Sequence, residues 1–157
     1  MRFFKQQKDP GEGYTVIIGC GRLGANLASA IALKEKVHII DKDKEAFVRL
    51  SPGFSGVITI GDGMDLDVLR DAQIDKAKVL VAVTSNDNAN LMIAQMAREI
   101  FHVPRVIARL YDRTRECIYQ EFGVDTICPA ELSARQIESI LARKPAAEED
   151  EKDSAQQ

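Results

Sequence analysis

The sequence predicts a doubly wound α/β domain on a six-stranded parallel sheet of order 3-2-1-4-5-6. Three observations predict it. Six short runs rich in Val and Ile recur along the 157 residues, separated by longer segments with helical spacing. The runs are mostly continuous rather than alternating, which indicates strands buried on both faces. A glycine-rich turn follows the first run directly and opens a helix. Right-handed crossovers between such units then give the strand order.

Taken in order, the first run is Tyr14–Gly19 (YTVIIG), and a small, apolar helical segment, Leu23–Leu33, follows the glycine turn. The second run, Lys36–Asp41, leads to Lys44–Leu50, with Asp43 placed as its N-cap. The third, Gly56–Asp62, turns through Gly61-Asp62-Gly63 into a helix over Met64–Ala72. The fourth, Lys78–Thr84, meets Ser85, Asn86 and Asp87, ordinary capping residues for Asn86–Phe101. In that segment Ala89, Met92, Ile93, Met96, Ala97, Ile100 and Phe101 recur at helical spacing and are expected in the core. The fifth, Arg105–Leu110, precedes Thr114–Phe122, which stops at Gly123. The sixth, Asp125–Pro129, precedes Glu131–Ala142, with Ile137, Ile140 and Leu141 on one side. One domain, 13–143, is expected between an N-terminal extension (1–12) and an acidic tail (144–157) that has no apolar anchor and reads as disordered.

Composition narrows the function. Hydrophobic residues make up 45% and charged residues 29%, as in an ordinary globular domain, and the net charge is −3. No basic field is present to hold nucleic acid or an anionic membrane. The apolar runs fall far short of the ~20 residues of a membrane helix. Cys20, Cys117 and Cys128 form no C-x-x-C pair, and three thiols suit a reducing cytosol.

The glycine turn is Gly19-Cys20-Gly21-Arg22-Leu23-Gly24. G-x-G-x-x-G alone is weak; after a strand and before a helix it has a mechanism. Gly19 permits the tight turn, Gly21 lets a pyrophosphate approach the backbone, and Gly24 lets helix and sheet pack closely. The helix N-terminus offers N–H groups and partial positive charge to phosphate. Arg22 opposes the helix dipole unless an anion neutralises it; the plain alternative is a solvated surface arginine. Asp41 ends the second run 22 residues after Gly19, where a carboxylate accepts hydrogen bonds from ribose hydroxyls and repels a 2′-phosphate. Lys42 beside it softens that exclusion. This is a Rossmann-type site.

Other strand ends add candidates. Asp62 and Gly63 follow the third run, where Asp62 either contacts base or ribose or caps the next helix. Thr84 and Ser85 follow the fourth and can face phosphates in addition to capping. Arg109 is anomalous in a buried strand; it either reaches a phosphate or pairs with a carboxylate at the sheet edge. Cys20 sits where a helix N-terminus lowers a thiol pKa, so redox sensing is open to it. His38 and His102 match no metal spacing. No Tyr-x-x-x-Lys, Walker lysine, G-x-S-x-G or H-E-x-x-H accompanies the site, so no catalytic residue is expected.

The set YTVIIGCGRLGANLA, VHIIDKD, ITIGDGMDLDVLRDAQIDKAKVLVAVTSNDNANLMIAQMAR, RVIARLYD and FGVDTICPAE resembles the N-terminal nucleotide-binding (RCK or KTN) domain of the Trk/Ktr potassium-uptake regulators, from about Tyr14 to Leu141. That resemblance implies a cytosolic regulator at the inner face of the cell membrane, at least a homodimer, without a nucleic-acid partner. It implies binding of NAD(H) or an adenine nucleotide (AMP, ADP or ATP), and transmission of the ligand state to an integral-membrane potassium-translocating subunit. The family's contacts fall here on Gly19 to Leu23, Asp41, Thr84, Ser85 and Arg109. The alternatives from the residues themselves are a small NAD-dependent oxidoreductase, a methyltransferase-like enzyme, or a nucleotide-binding adaptor.

Overall fold

The computed structural model describes residues 13–143; the expected extension and acidic tail lie outside the described residues. The chain divides into two compact units between Ile127 and Cys128. The first holds six strands: β1 (Thr15–Ile18), β2 (Val37–Asp41), β3 (Val57–Ile60), β4 (Val79–Ala82), β5 (Arg105–Arg109) and β6 (Asp125–Ile127). All pair in parallel in the order β3-β2-β1-β4-β5-β6, as expected. The order reverses at β1, which pairs with β2 on one side and β4 on the other. A crevice at the carboxyl ends forms at such a switch point.

The continuous apolar runs are explained by two cores, one on each face. Val16, Ile18, Ile40, Leu80, Ala82, Val106 and Ala108 point to one face, beneath α2 (Leu66–Asp71) and α3 (Asp87–Gln95). Ile17, Ile39, Val81 and Val83 point to the other, against Ala25 and Ala28 of α1 (Arg22–Ala32). Successive side chains of a strand alternate faces, so a strand covered on both sides must be apolar throughout.

Several elements differ from expectation. β3 is exposed over most of its length rather than buried, because it is the sheet edge. Residues Lys44–Arg49 form a 3-10 helix capped by Asp43, whose side chain accepts from the Glu45 N–H. The helix expected from Met64 begins at Leu66: the Asp62 side chain holds the Met64 N–H in a local turn, and Asp65 becomes the cap. The long helix from Asn86 ends at Gln95 and Met96–Ile100 forms a π-turn; Met96, Ala97 and Phe101 are buried as expected, whereas Met92 in α3 and Ile100 are exposed. A 3-10 turn over Arg113–Arg115, capped by Asp112, precedes α4 (Glu116–Glu121). Gly123 ends this segment in the left-handed region. In the second unit, α5 spans Pro129–Leu141, with Pro at its first turn and Cys128 at the N-cap.

Candidate functional site

The glycine loop leaves β1 through Gly19, whose φ is +108° and whose N–H donates to the Ile40 carbonyl. A Cβ there would lie 2.9 Å from the Thr84 nitrogen, and a Cβ on Gly24 would lie 1.8 Å from the Gly19 oxygen. Both glycines are therefore demanded by the loop itself. Gly21 differs. It is the exposed N-cap of α1, and a Cβ built on it meets nothing within 4 Å. Neither backbone strain nor packing requires glycine at 21.

The start of α1 is left bare. It has no side-chain cap and no acidic residue in its first turn, so its leading N–H groups have no anionic partner. Arg22 is exposed and Leu23 half-buried beside it. Asp41 is fixed across from the loop: its Oδ2 accepts the Cys20 N–H at 2.6 Å and its Oδ1 accepts the Asp43 N–H at 2.8 Å. Each carboxylate oxygen keeps a second lone pair for a ribose hydroxyl. Lys42, next in the chain, is exposed.

Cys20 is fully buried, with its Sγ against the Ala46 carbonyl at 3.4 Å. Burial pushes its thiol pKa up, the Asp41 charge adds to this, and Arg49 opposes it. The helix-lowered thiolate considered from sequence is thus reversed: here Cys20 contributes its N–H to the loop and keeps its thiol protonated.

Among the other strand ends, Gly63 is explained by packing, since a Cβ would sit 2.3 Å from Ile18 Cγ2. Asp62 is exposed and turns its Oδ1 to the Met64 N–H. The Thr84 hydroxyl donates to Asn90 Oδ1 at 2.7 Å, while Ser85 is exposed beside it. Arg109 is half-buried at the end of β5. Its guanidinium has no hydrogen-bond or ion-pair partner among the described residues, whereas Arg105 at the other end of the strand meets Asp125. The carboxylate pairing considered for Arg109 is not present.

Sequence reasoning missed Asn90, and it read Asp87 as a capping residue without its link to the loop after β5; both organise the carboxyl ends of β4 and β5. Asn90 is 0% exposed. Its Oδ1 accepts the Thr84 N–H at 2.9 Å as well as the Thr84 hydroxyl, and its Nδ2 donates to the carbonyls of Thr84 and Arg109, both at 3.1 Å. One amide thus ties the end of β4 to the end of β5. Asp87 accepts the N–H groups of Tyr111 and Asp112, so the first turn of α3 also holds the loop after β5. The signal for Asn90 was available: it shares one helical face with the buried Ile93, Ala94 and Ala97, and a polar residue on such a face must be hydrogen-bonded.

The candidate residues do not line the cavity of about 630 Å³ that lies at the opposite, amino ends of the strands, bounded by Tyr14, Lys36, His38, Val57 and Gln73 among others. His38, buried there, shares a 2.8 Å hydrogen bond with Thr59, and burial pushes its imidazole pKa down.

With this geometry in place, comparison with known proteins is informative. The TrkA-N domain family model matches residues 15–129. The chain belongs to the TrkA-N family. Its relatives include the Trk system potassium uptake protein TrkA of Streptomyces coelicolor, 42% identical over 125 residues, covering 79% of this chain and 56% of that protein. A Trk system potassium uptake protein TrkA homolog of Methanothermobacter thermautotrophicus is 31% identical, covering 86% of this chain and 63% of that one. The chain therefore spans little more than half the length of these relatives. Among solved structures, the GsuK RCK domain superposes with a TM-score of 0.72 at 25% identity, over 90% of this chain and 30% of that one. The AMP-bound Kef C-terminal domain of Shewanella denitrificans gives 0.71 at 21% identity, over 84% of each. The NAD-bound GsuK channel gives 0.63 at 16% identity, over 78% of this chain and 22% of that one. The family resemblance read from the sequence and the Rossmann-type fold are both borne out.

Proposed function

We propose that this TrkA-N chain is a nucleotide-sensing regulatory subunit of a potassium uptake system. It binds NAD(H) or an adenine nucleotide (AMP, ADP or ATP) in the crevice above β1, β2, β4 and β5. The observation that carries the reading is Gly21. Its Cβ position is open space at an uncapped helix N-terminus, so glycine there is accounted for by a ligand backbone approach rather than by the protein's own packing. Asp41 then holds the ribose, and Arg22 and Arg109 answer the phosphates, with Gly19, Cys20, Leu23 and Gly24 shaping the loop. Lys42, Thr84 and Ser85 line the rim, and Asp62 and Gly63 form its β3 side.

Support for the regulatory part comes from the relatives, whose names place them in Trk potassium uptake, and from neighbours whose structures hold AMP or NAD. In this reading the protein is at least a homodimer and not an enzyme. It works at the inner face of the cell membrane, where an integral-membrane potassium-translocating subunit responds to its ligand state. The described residues contain no helix long and apolar enough to cross a membrane.

A thermal-shift panel of NAD, NADH, NADP, AMP, ADP and ATP tests the site. Unphosphorylated-ribose ligands should raise the melting temperature, and Gly21→Val should abolish the rise while lowering the ligand-free melting temperature only by the cost of a poorer N-cap. A Val variant that still responds would overturn the placement of the phosphates.

A further inference from the structure

β3 ends the six-stranded sheet, and apart from its shortness its outer edge carries no charge, proline or bulge against pairing among the described residues. Residues 57–60 read Val-Ile-Thr-Ile, with no charge and no proline. Val57, Ile58 and Ile60 are 58%, 46% and 57% exposed. The Gly61 N–H donates to the Asp41 carbonyl. With the two-residue period of a strand, Val57 and Thr59 turn their backbone groups toward β2, and Ile58 and Ile60 turn theirs outward. Ile58 pairs with Ile39 in register, and Ile60 with Asp41, so both isoleucines project from the α1 face of the sheet.

We propose that this edge pairs antiparallel with the same edge of a second copy of the chain, about a two-fold axis at Thr59. The segment Ile58-Thr59-Ile60 reads the same in both directions, so a two-fold places Ile58 opposite Ile60 of the partner subunit and Ile60 opposite Ile58 of the partner subunit. This register engages the outward N–H and C=O groups of both isoleucines at once, and their exposed side chains meet on one face. Charge permits it. The nearest charged residue in sequence, Asp62, falls opposite Gly56 of the partner subunit, so no like charges face each other. The result is one continuous sheet through two copies, isologous as a two-fold interface must be. Because the contact centres on a short strand, it is small by the standards of stable interfaces, and it forms a concentration-dependent dimer rather than an obligate one.

The proposal names a surface for the homo-oligomer reading above and is independent of nucleotide binding. Sedimentation velocity over a broad concentration range should show wild type passing from monomer to dimer. The exposed double substitution Ile58→Lys/Ile60→Lys should lower the association constant more than about tenfold, the equivalent of about 1.4 kcal/mol. Thr59→Cys should form an intermolecular disulfide through position 59, located by peptide mapping, since directly opposed non-hydrogen-bonded residues lie about 4.5 Å apart at Cα. An unchanged nucleotide thermal shift in the lysine variant shows that its fold and the crevice survive. A wild type that stays monomeric at every concentration overturns the pairing. Undiminished association of the lysine variant, without the disulfide, also overturns it, and assigns the oligomer to another surface while leaving the nucleotide site untouched.

Discussion

Asp41 serves the loop before it serves any ligand. Its carboxylate takes the N–H groups of Cys20 and Asp43, which fixes both the glycine turn and its own orientation. Asp41→Ala should therefore cost twice: a modest loss of stability, and a loss of NAD affinity of about 1.5–3 kcal/mol for the charge-assisted bonds to ribose. AMP, with the same ribose, should lose as much, while NADP loses less because the repulsion of its 2′-phosphate goes too. Calorimetric titration of the three ligands checks this; an unchanged preference for NAD over NADP puts the ribose elsewhere. His38 makes a second residue-scale prediction. Burial lowers its pKa below the ordinary 6.5, so the unfolded chain takes up a proton that the folded chain resists. Its contribution to stability is intact above that value and is lost as pH falls through the lower, folded one. Urea midpoints followed from about pH 8 to about pH 5 should decline, and His38→Gln should flatten that decline. At this scale the sequence revealed whatever depends on position along the chain: Gly19 and Gly24 sit where the strand–turn–helix needs them, and Asp41 ends the second strand beside the turn. It concealed what depends on contacts between distant segments. The rise in the Cys20 pKa comes from burial beside Asp41 and Ala46, neighbours made only by folding.

Among the elements, α3 is the one that assembles the crevice. Asn86 caps it, Asp87 holds the loop after β5, and Asn90 joins the ends of β4 and β5. Asn90→Ala strands the Thr84 N–H and two carbonyls in a buried place, which should destabilise the fold by about 1–3 kcal/mol. The telling measurement is local. Amide exchange at Thr84 and through the loop after β5 should accelerate well before exchange in β1 and β2. Uniform acceleration across the sheet would mean that Asn90 is only a core contributor. The strands were legible because a parallel strand covered on both faces must be apolar along its buried length, as β4 is throughout and β1 is after Thr15. β3 read the same way from its Val and Ile, yet it lies at the edge with its side chains exposed; composition does not encode which strand is outermost. Helix starts were less legible where two acidic residues compete. Asp62 and Asp65 both have capping chemistry, and the turn held by Asp62 moves the start of α2 two residues downstream.

For the whole molecule, sensing requires two states that ligands favour unequally, since a ligand with equal affinity for both shifts nothing. The crevice divides ligands in a way that makes inequality expected. Asp41 is fixed by two backbone bonds, and under the proposed function it would read the adenosine end alike in every candidate nucleotide. Under the same proposal, whatever lies beyond the α-phosphate would reach toward the bare start of α1 and toward Arg109, whose strand end is tied through Asn90 to α3. Ligands that differ only there should differ in the state they favour, with a coupling of about 1–3 kcal/mol. Sedimentation velocity and capture of a detergent-solubilised potassium-translocating subunit, each run with AMP, ATP, NAD and NADH, test this on the chain as it stands. AMP should separate from the triphosphate and the dinucleotides in hydrodynamic state, in partner affinity, or in both. Identical behaviour with every ligand would leave a nucleotide-binding domain that holds its ligand without reporting it.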